Sequence, residues 1–132
     1  MELAYSIDQL IALDTAADYF DLHNCYDVVR VHRTATTCYV SFAKLTGEWV
    51  KPTEPAYLTL VFEQTTFLQL SEGLHFPIGL EYIGFKEPQE LDMTWFMPQP
   101  GSGPVHLVLG LDDDAFIRIG ATASYCLYGP VA

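Results

Sequence analysis

The chain has 132 residues, half of them hydrophobic and 14% aromatic, which suits one domain (residues 1–132) with a full core of its own. Seventeen acidic residues face six basic ones, for a net charge of −11. That balance argues against nucleic acid or an anionic membrane as partner, because both are bound through positive charge, and it suits a basic protein partner.

Ser6 to Phe20 is predicted as an N-terminal helical segment. Ser6 and Gln9 have the spacing of a capping box, Ile7, Leu10 and Ile11 share one helical face, and Asp8 falls in the first turn, where the helix dipole favours a carboxylate. The first 27 residues hold six acids and no Lys or Arg. A β domain is predicted over about residues 25–128 from the change to two-residue alternation. Tyr26–Arg33 is Val-rich, and Thr37–Leu45 sets Cys38, Val40 and Phe42 on one face. Lys51–Pro55 is a loop, because two nearby prolines cannot serve a ladder. Tyr57–Glu63 and Thr66–Leu70 follow as strands. Ile78–Phe85 is a strand interrupted by Gly79 and Gly84, and Leu91–Met97 alternates Leu91, Met93, Trp95 and Met97. Pro98–Pro104 holds three prolines and two glycines further on and must be a loop.

The stretch 105–120 is the best-specified piece. An apolar arm, Val105–Leu111, meets Asp112-Asp113-Asp114 and returns as Phe116–Gly120. Three aspartates cannot be buried together, so the tip faces water while the arms face a core. A last strand at Ala121–Tyr128 stops at Gly129-Pro130. The expected fold is mainly β, an antiparallel sandwich or open barrel of about eight or nine strands with one N-terminal helix.

No motif with strong catalytic spacing is present. Asp21-Leu22-His23-Asn24-Cys25 is the densest reactive cluster, but nothing basic follows Cys25 to stabilise a thiolate, so it is expected to be a helix-to-strand junction. The histidines form no HxH or HExxH pair, and the aspartate tip lacks the later glycine and glutamate of a calcium loop, so no metal or cofactor is expected. Glu81, Glu87, Glu90 and Asp92 supply carboxylates, yet glycoside chemistry needs a pair set across a cleft. The three cysteines form no CxxC pair. Together with an N-terminus that lacks a leader pattern, they imply reduced thiols and a cytoplasmic location.

A short helix, then Phe20-Asp21-Leu22-His23-Asn24-Cys25, then Leu58-Thr59-Leu60-Val61-Phe62-Glu63, then the closing hairpin, resemble in order the features of a group of small bacterial β-sandwich proteins. Some of those are proposed as immunity proteins of toxin systems. The resemblance implies a non-enzymatic binding protein with an acidic face turned to a basic toxin.

The leading expectation is therefore a binding or inhibitory protein that is not an enzyme. Asp14, Asp18, Asp21, Asp112, Asp113 and Asp114 are the candidate partner contacts. The alternatives are a small-molecule site with Tyr82, Trp95 and His106 lining a pocket, or a homodimer formed through exposed strand edges and aromatics.

Overall fold

Alternation of apolar and polar side chains dictates most of what is seen. The structure, a computed structural model, describes residues 1–129; Pro130, half of the expected final stop, lies outside the described residues. In chain order the elements are β1 (Glu2–Leu3), β2 (Ser6–Asp8), β3 (Ala12–Asp14), β4 (Tyr19–Asp21), α1 (Leu22–Cys25), β5 (Tyr26–Arg33), β6 (Thr37–Lys44), β7 (Tyr57–Glu63) and β8 (Phe67–Leu70). They continue with β9 (Ile78–Lys86), β10 (His106–Leu111), the 3-10 turn η1 (Asp112–Asp114), β11 (Phe116–Gly120) and β12 (Ala123–Leu127). The chain is mainly β, with one nine-stranded sheet ordered β1-β12-β7-β6-β5-β9-β10-β11-β8 and one three-stranded sheet, β2-β3-β4.

The large sheet is two antiparallel meanders, β5-β6-β7 and β9-β10-β11, joined where Asp27 and Val28 of β5 pair with Gly79 and Ile78 of β9. β12 and β8 flank the meanders, and among the described residues no strand lies beyond β8. One core draws on both halves. Val40 and Phe42 of β6, Leu58, Leu60 and Phe62 of β7, Ile83 and Phe85 of β9, Leu107 and Leu109 of β10, and Ile117 and Ile119 of β11 all belong to it.

Three expectations are corrected. The segment Ser6–Phe20 is not a helix but the three short strands of the small sheet. The chain reverses at Gln9 and Leu10, which adopt left-handed φ of 52° and 62°, with Ile11 N donating to Asp8 O. Leu10 O also accepts from Ile83 N of β9 at 2.7 Å, so tertiary contact holds a turn that the local sequence does not favour. Ile7, Leu13 and Phe20 reach the core from three strands instead of along one helical stripe. The only α-helical turn among the described residues is α1.

Second, Leu91–Met97 forms no strand; only Met97 pairs, through a lone bridge to Phe85. Asp92 accepts from both the N–H and the hydroxyl of Thr94, and these local bonds compete with a ladder. Third, the large sheet is mixed instead of purely antiparallel, because β1 runs parallel to β12. Among the described residues no helix is long and apolar enough to cross a membrane.

Candidate functional site

Leu107, Leu109 and Leu111 of β10 face the core, so His106, Val108 and Gly110 face the opposite side of the sheet. All six residues of β10 are nevertheless buried. On the outer side Phe67 covers His106, Tyr82 covers Gly110, and the strand-poor strap 87–104 meets Gly84 of β9 and Arg118 of β11.

Arg118 of β11 fastens the strap. Its Nη1 donates to Glu90 O (2.7 Å), its Nη2 to Glu87 O (2.9 Å) and Pro88 O (3.2 Å), and its Nε to His106 Nδ1 (2.8 Å). His106 Nδ1 therefore acts as an acceptor and the ring is neutral. Burial, then the neighbouring Arg118, push its pKa below the usual histidine value. Lys86 sits beside this pair, directly across the ladder from His106 and fully buried. Its ammonium lies 3.8 Å from the centre of the Trp95 ring and 5.3 Å from that of Phe96, and Nζ has no hydrogen-bond partner among the described residues. Burial lowers its pKa, while Glu90 and Asp92 on the strap work the other way.

Beside this anchored region lies a cleft. Two glycines make its floor possible. A methyl group at Gly110 would stand 2.5 Å from the Tyr82 ring, and one at Gly84 would stand 2.7 Å from Phe96 Cβ. With hydrogen there instead, both aromatic side chains lie down on the sheet, with ring centres 5.1 Å apart. A β-bulge shapes the rim. Gly110 pairs with Tyr82 and Leu111 with Leu80, which leaves Glu81 as the extra residue on β9. The bulge turns Glu81 away from the core that Leu80 and Ile83 enter on either side. On the opposite rim, Asp113 and Asp114 take left-handed φ of 59° and 60°, a conformation aspartate tolerates.

The resulting space is about 330 Å³, walled by Tyr82, Met93, Phe96 and Phe116, with Glu81 and Asp114 supplying carboxylates and no Lys, Arg or His among its walls.

The structure thus joins one member of each sequence-predicted set, Asp114 and Tyr82. The other two pocket candidates are placed elsewhere: Trp95 covers Lys86, and His106 is buried against Phe67, rings stacked at 4.5 Å. Asp112 lies over Gly79, and after burial it is the cause that raises the Asp27 carboxyl. Asp14 and Asp18 are exposed, with Asp18 Oδ2 accepting from the Tyr128 hydroxyl at 2.8 Å. Asp21 caps α1, its Oδ1 accepting from Asn24 N (3.0 Å) and its Oδ2 from Asn24 Nδ2 (2.8 Å). Sequence reasoning did not bring Glu81, Phe96 and Phe116 together; the glycines at 84 and 110 were the available signal, since a strand glycine marks close approach.

His23 and Cys25 make no nucleophile pair. His23 Nδ1 lies 2.6 Å from Leu80 O, and burial, then Asp21 and Glu54, raise the Cys25 thiol pKa, the reverse of what an attacking thiolate needs. Among the described residues no group of three or more His, Cys, Asp or Glu is placed to hold a metal ion. No family model, curated protein or solved structure matches the chain.

Proposed function

We propose that the protein is a non-enzymatic, cytoplasmic binding or inhibitory protein that engages a basic protein partner through its acidic surface, in the manner of the immunity proteins whose feature order it resembles. The observation that carries this reading is the unequal burial of charge. Lys86 and Arg118 are buried, and no Asp or Glu is. The surface therefore sets all seventeen acidic side chains against four basic ones. Such a field steers a positively charged partner and repels nucleic acid and anionic lipid. The architecture behind the reading is a sandwich or open barrel, supported by the single core shared between the two meanders.

The test is titration with a short arginine-rich peptide at several ionic strengths. Association is expected at low salt, falling as salt rises. It should weaken when Asp14, Asp18, Asp112, Asp113 and Asp114 are changed to Asn; Asp21 is spared because it caps α1. Binding that ignores both salt and these changes, or no binding at low salt, overturns the proposal.

A second reading, a small-molecule site, is favoured by the cleft itself, whose volume of about 330 Å³ lies at the lower end of ligand pockets.

A further inference from the structure

We infer that the cleft between the strap and the aspartate tip is a binding site for the guanidinium group of an arginine side chain. The inference rests on the acidic-surface reading for its source of arginine, a basic protein segment, but its chemistry stands on the cleft alone.

Three features of the cleft select such a group. Its walls are aromatic: Tyr82 and Phe96 are tilted at 45° with centres 5.1 Å apart, and Phe116 lies on the other side. Ring faces attract a cation, and they accept a planar guanidinium better than a compact ammonium because the plane can stack. Carboxylates stand on two separate elements, Glu81 on the β9 bulge and Asp114 on the hairpin tip. Neither is engaged by a donor among the described residues, and the walls hold no basic group to neutralise them. A guanidinium presents five donors in a fixed fork of the kind that carboxylates accept. Finally, Met93 and Phe116 add apolar surface of the kind that the methylene stem of arginine covers.

The site is built, not incidental. The bulge at Glu81 lets Leu80 and Ile83 both enter the core and leaves Glu81 at the rim, and a side chain at Gly84 or Gly110 would displace the Phe96 or Tyr82 wall. Lys86 is withdrawn beneath Trp95, which keeps its charge from answering the rim carboxylates.

The experiment uses the full chain and two small probes, N-acetyl-arginine methylamide and its neutral counterpart N-acetyl-citrulline methylamide, followed by backbone amide shifts. The arginine probe is expected to move the amides of Glu81, Tyr82, Gly110 and Ala115 with a dissociation constant on the order of 1–10 mM, and the citrulline probe to leave them still. Glu81→Gln and Asp114→Asn should each weaken the arginine probe about threefold to tenfold. Tyr82→Leu keeps apolar bulk, removes the ring and should do the same. The amide spectrum of each variant verifies its fold.

No cleft shifts with the arginine probe, or equal shifts with both probes, overturn the inference. If the arginine-rich peptide binds in a salt-dependent way and the cleft variants leave that binding unchanged, the inference fails while the acidic-surface reading stands. If the small probe binds in the cleft and the peptide shows no salt-dependent association, the inference stands and that reading fails.

Discussion

The two meanders of the large sheet have the same kind of inner face and different outer faces. On the β5-β6-β7 side the outer row has a hydroxylic pair, Ser41 and Thr59, between Tyr39 with Val61 and Ala43 with Tyr57. Ser41 and Thr59 are buried and bonded to one another at 3.0 Å, and Thr59 donates to Gly129 O at 2.8 Å. On the β9-β10-β11 side the outer row carries two buried cations, a neutral histidine and two glycines; the strap meets Arg118, Lys86 and Gly84, while Phe67 stacks on His106 and Tyr82 lies on Gly110. The inner rows of both halves are buried in one core. The outer row distinguishes them, and that of the second floors the cleft whose carboxylates are unengaged.

The first way to break this comparison is through the shared core. Leu60→Ala in β7 and Leu109→Ala in β10 are both fully buried changes, and each should cost about 3–4 kcal/mol by denaturant unfolding. A much smaller loss for Leu109→Ala would mean that the strapped half does not share the core of the other. The outer rows come next. Arg118→Met removes the donors to three strap carbonyls and should cost about 2–4 kcal/mol, whereas Thr59→Val on the other half should cost about 1 kcal/mol. Equal losses would remove the distinction between the two faces.

Gly84→Ala is expected to cost about 1–3 kcal/mol, because the new methyl meets Phe96 Cβ and the Met97 carbonyl, which cannot both yield. A neutral result would show that Phe96 does not lie on the sheet.

The smallest effect has the opposite sign. Lys86→Met replaces an ammonium without a hydrogen-bond partner by an apolar chain of similar length and should stabilise by about 1 kcal/mol at neutral pH. Lys86 has a folded pKa below its ordinary 10.5. In the alkaline range up to 10.5 the unfolded chain therefore binds more protons than the folded one, and the wild-type protein gains stability from this group as pH rises. The advantage of the variant should shrink across that range, as read by unfolding of both proteins in parallel. A constant difference would show that Lys86 titrates as an ordinary lysine.

Legibility followed the length of the periodic signal. β5, β6 and β7 repeat their alternation over enough residues for a two-residue period to declare itself, and the β10–β11 hairpin is marked by its apolar arms and the aspartate tip between them. The N-terminal strands are three residues each, too short to show one, and their turn uses Gln9 and Leu10 where glycine or asparagine would have announced it. Ser6 and Gln9 then mimic a helix cap. Leu91–Met97 misled for the converse reason: it alternates well, but its side chains serve different neighbours, Trp95 over Lys86 and Met93 against Arg118, with Leu91 left in solvent. Asp114 and Tyr82 were each singled out from sequence, and their meeting was not legible. It depends on the bulge at Glu81 and on the order of strands, and neither leaves a local mark.

The free edge of β8 carries a consequence of its own. Phe67-Leu68-Gln69-Leu70 has no charge and no proline, Phe67 and Leu70 are exposed, and the outer backbone groups of the strand have no strand partner. Natural sheets blunt such an edge with lysine, proline or a bulge, and this one has none. Repulsion between like-charged surfaces opposes such pairing. That colloidal protection vanishes near the isoelectric point of about 4.4, so precipitation through paired edges is expected to set in as the solution approaches that acidity.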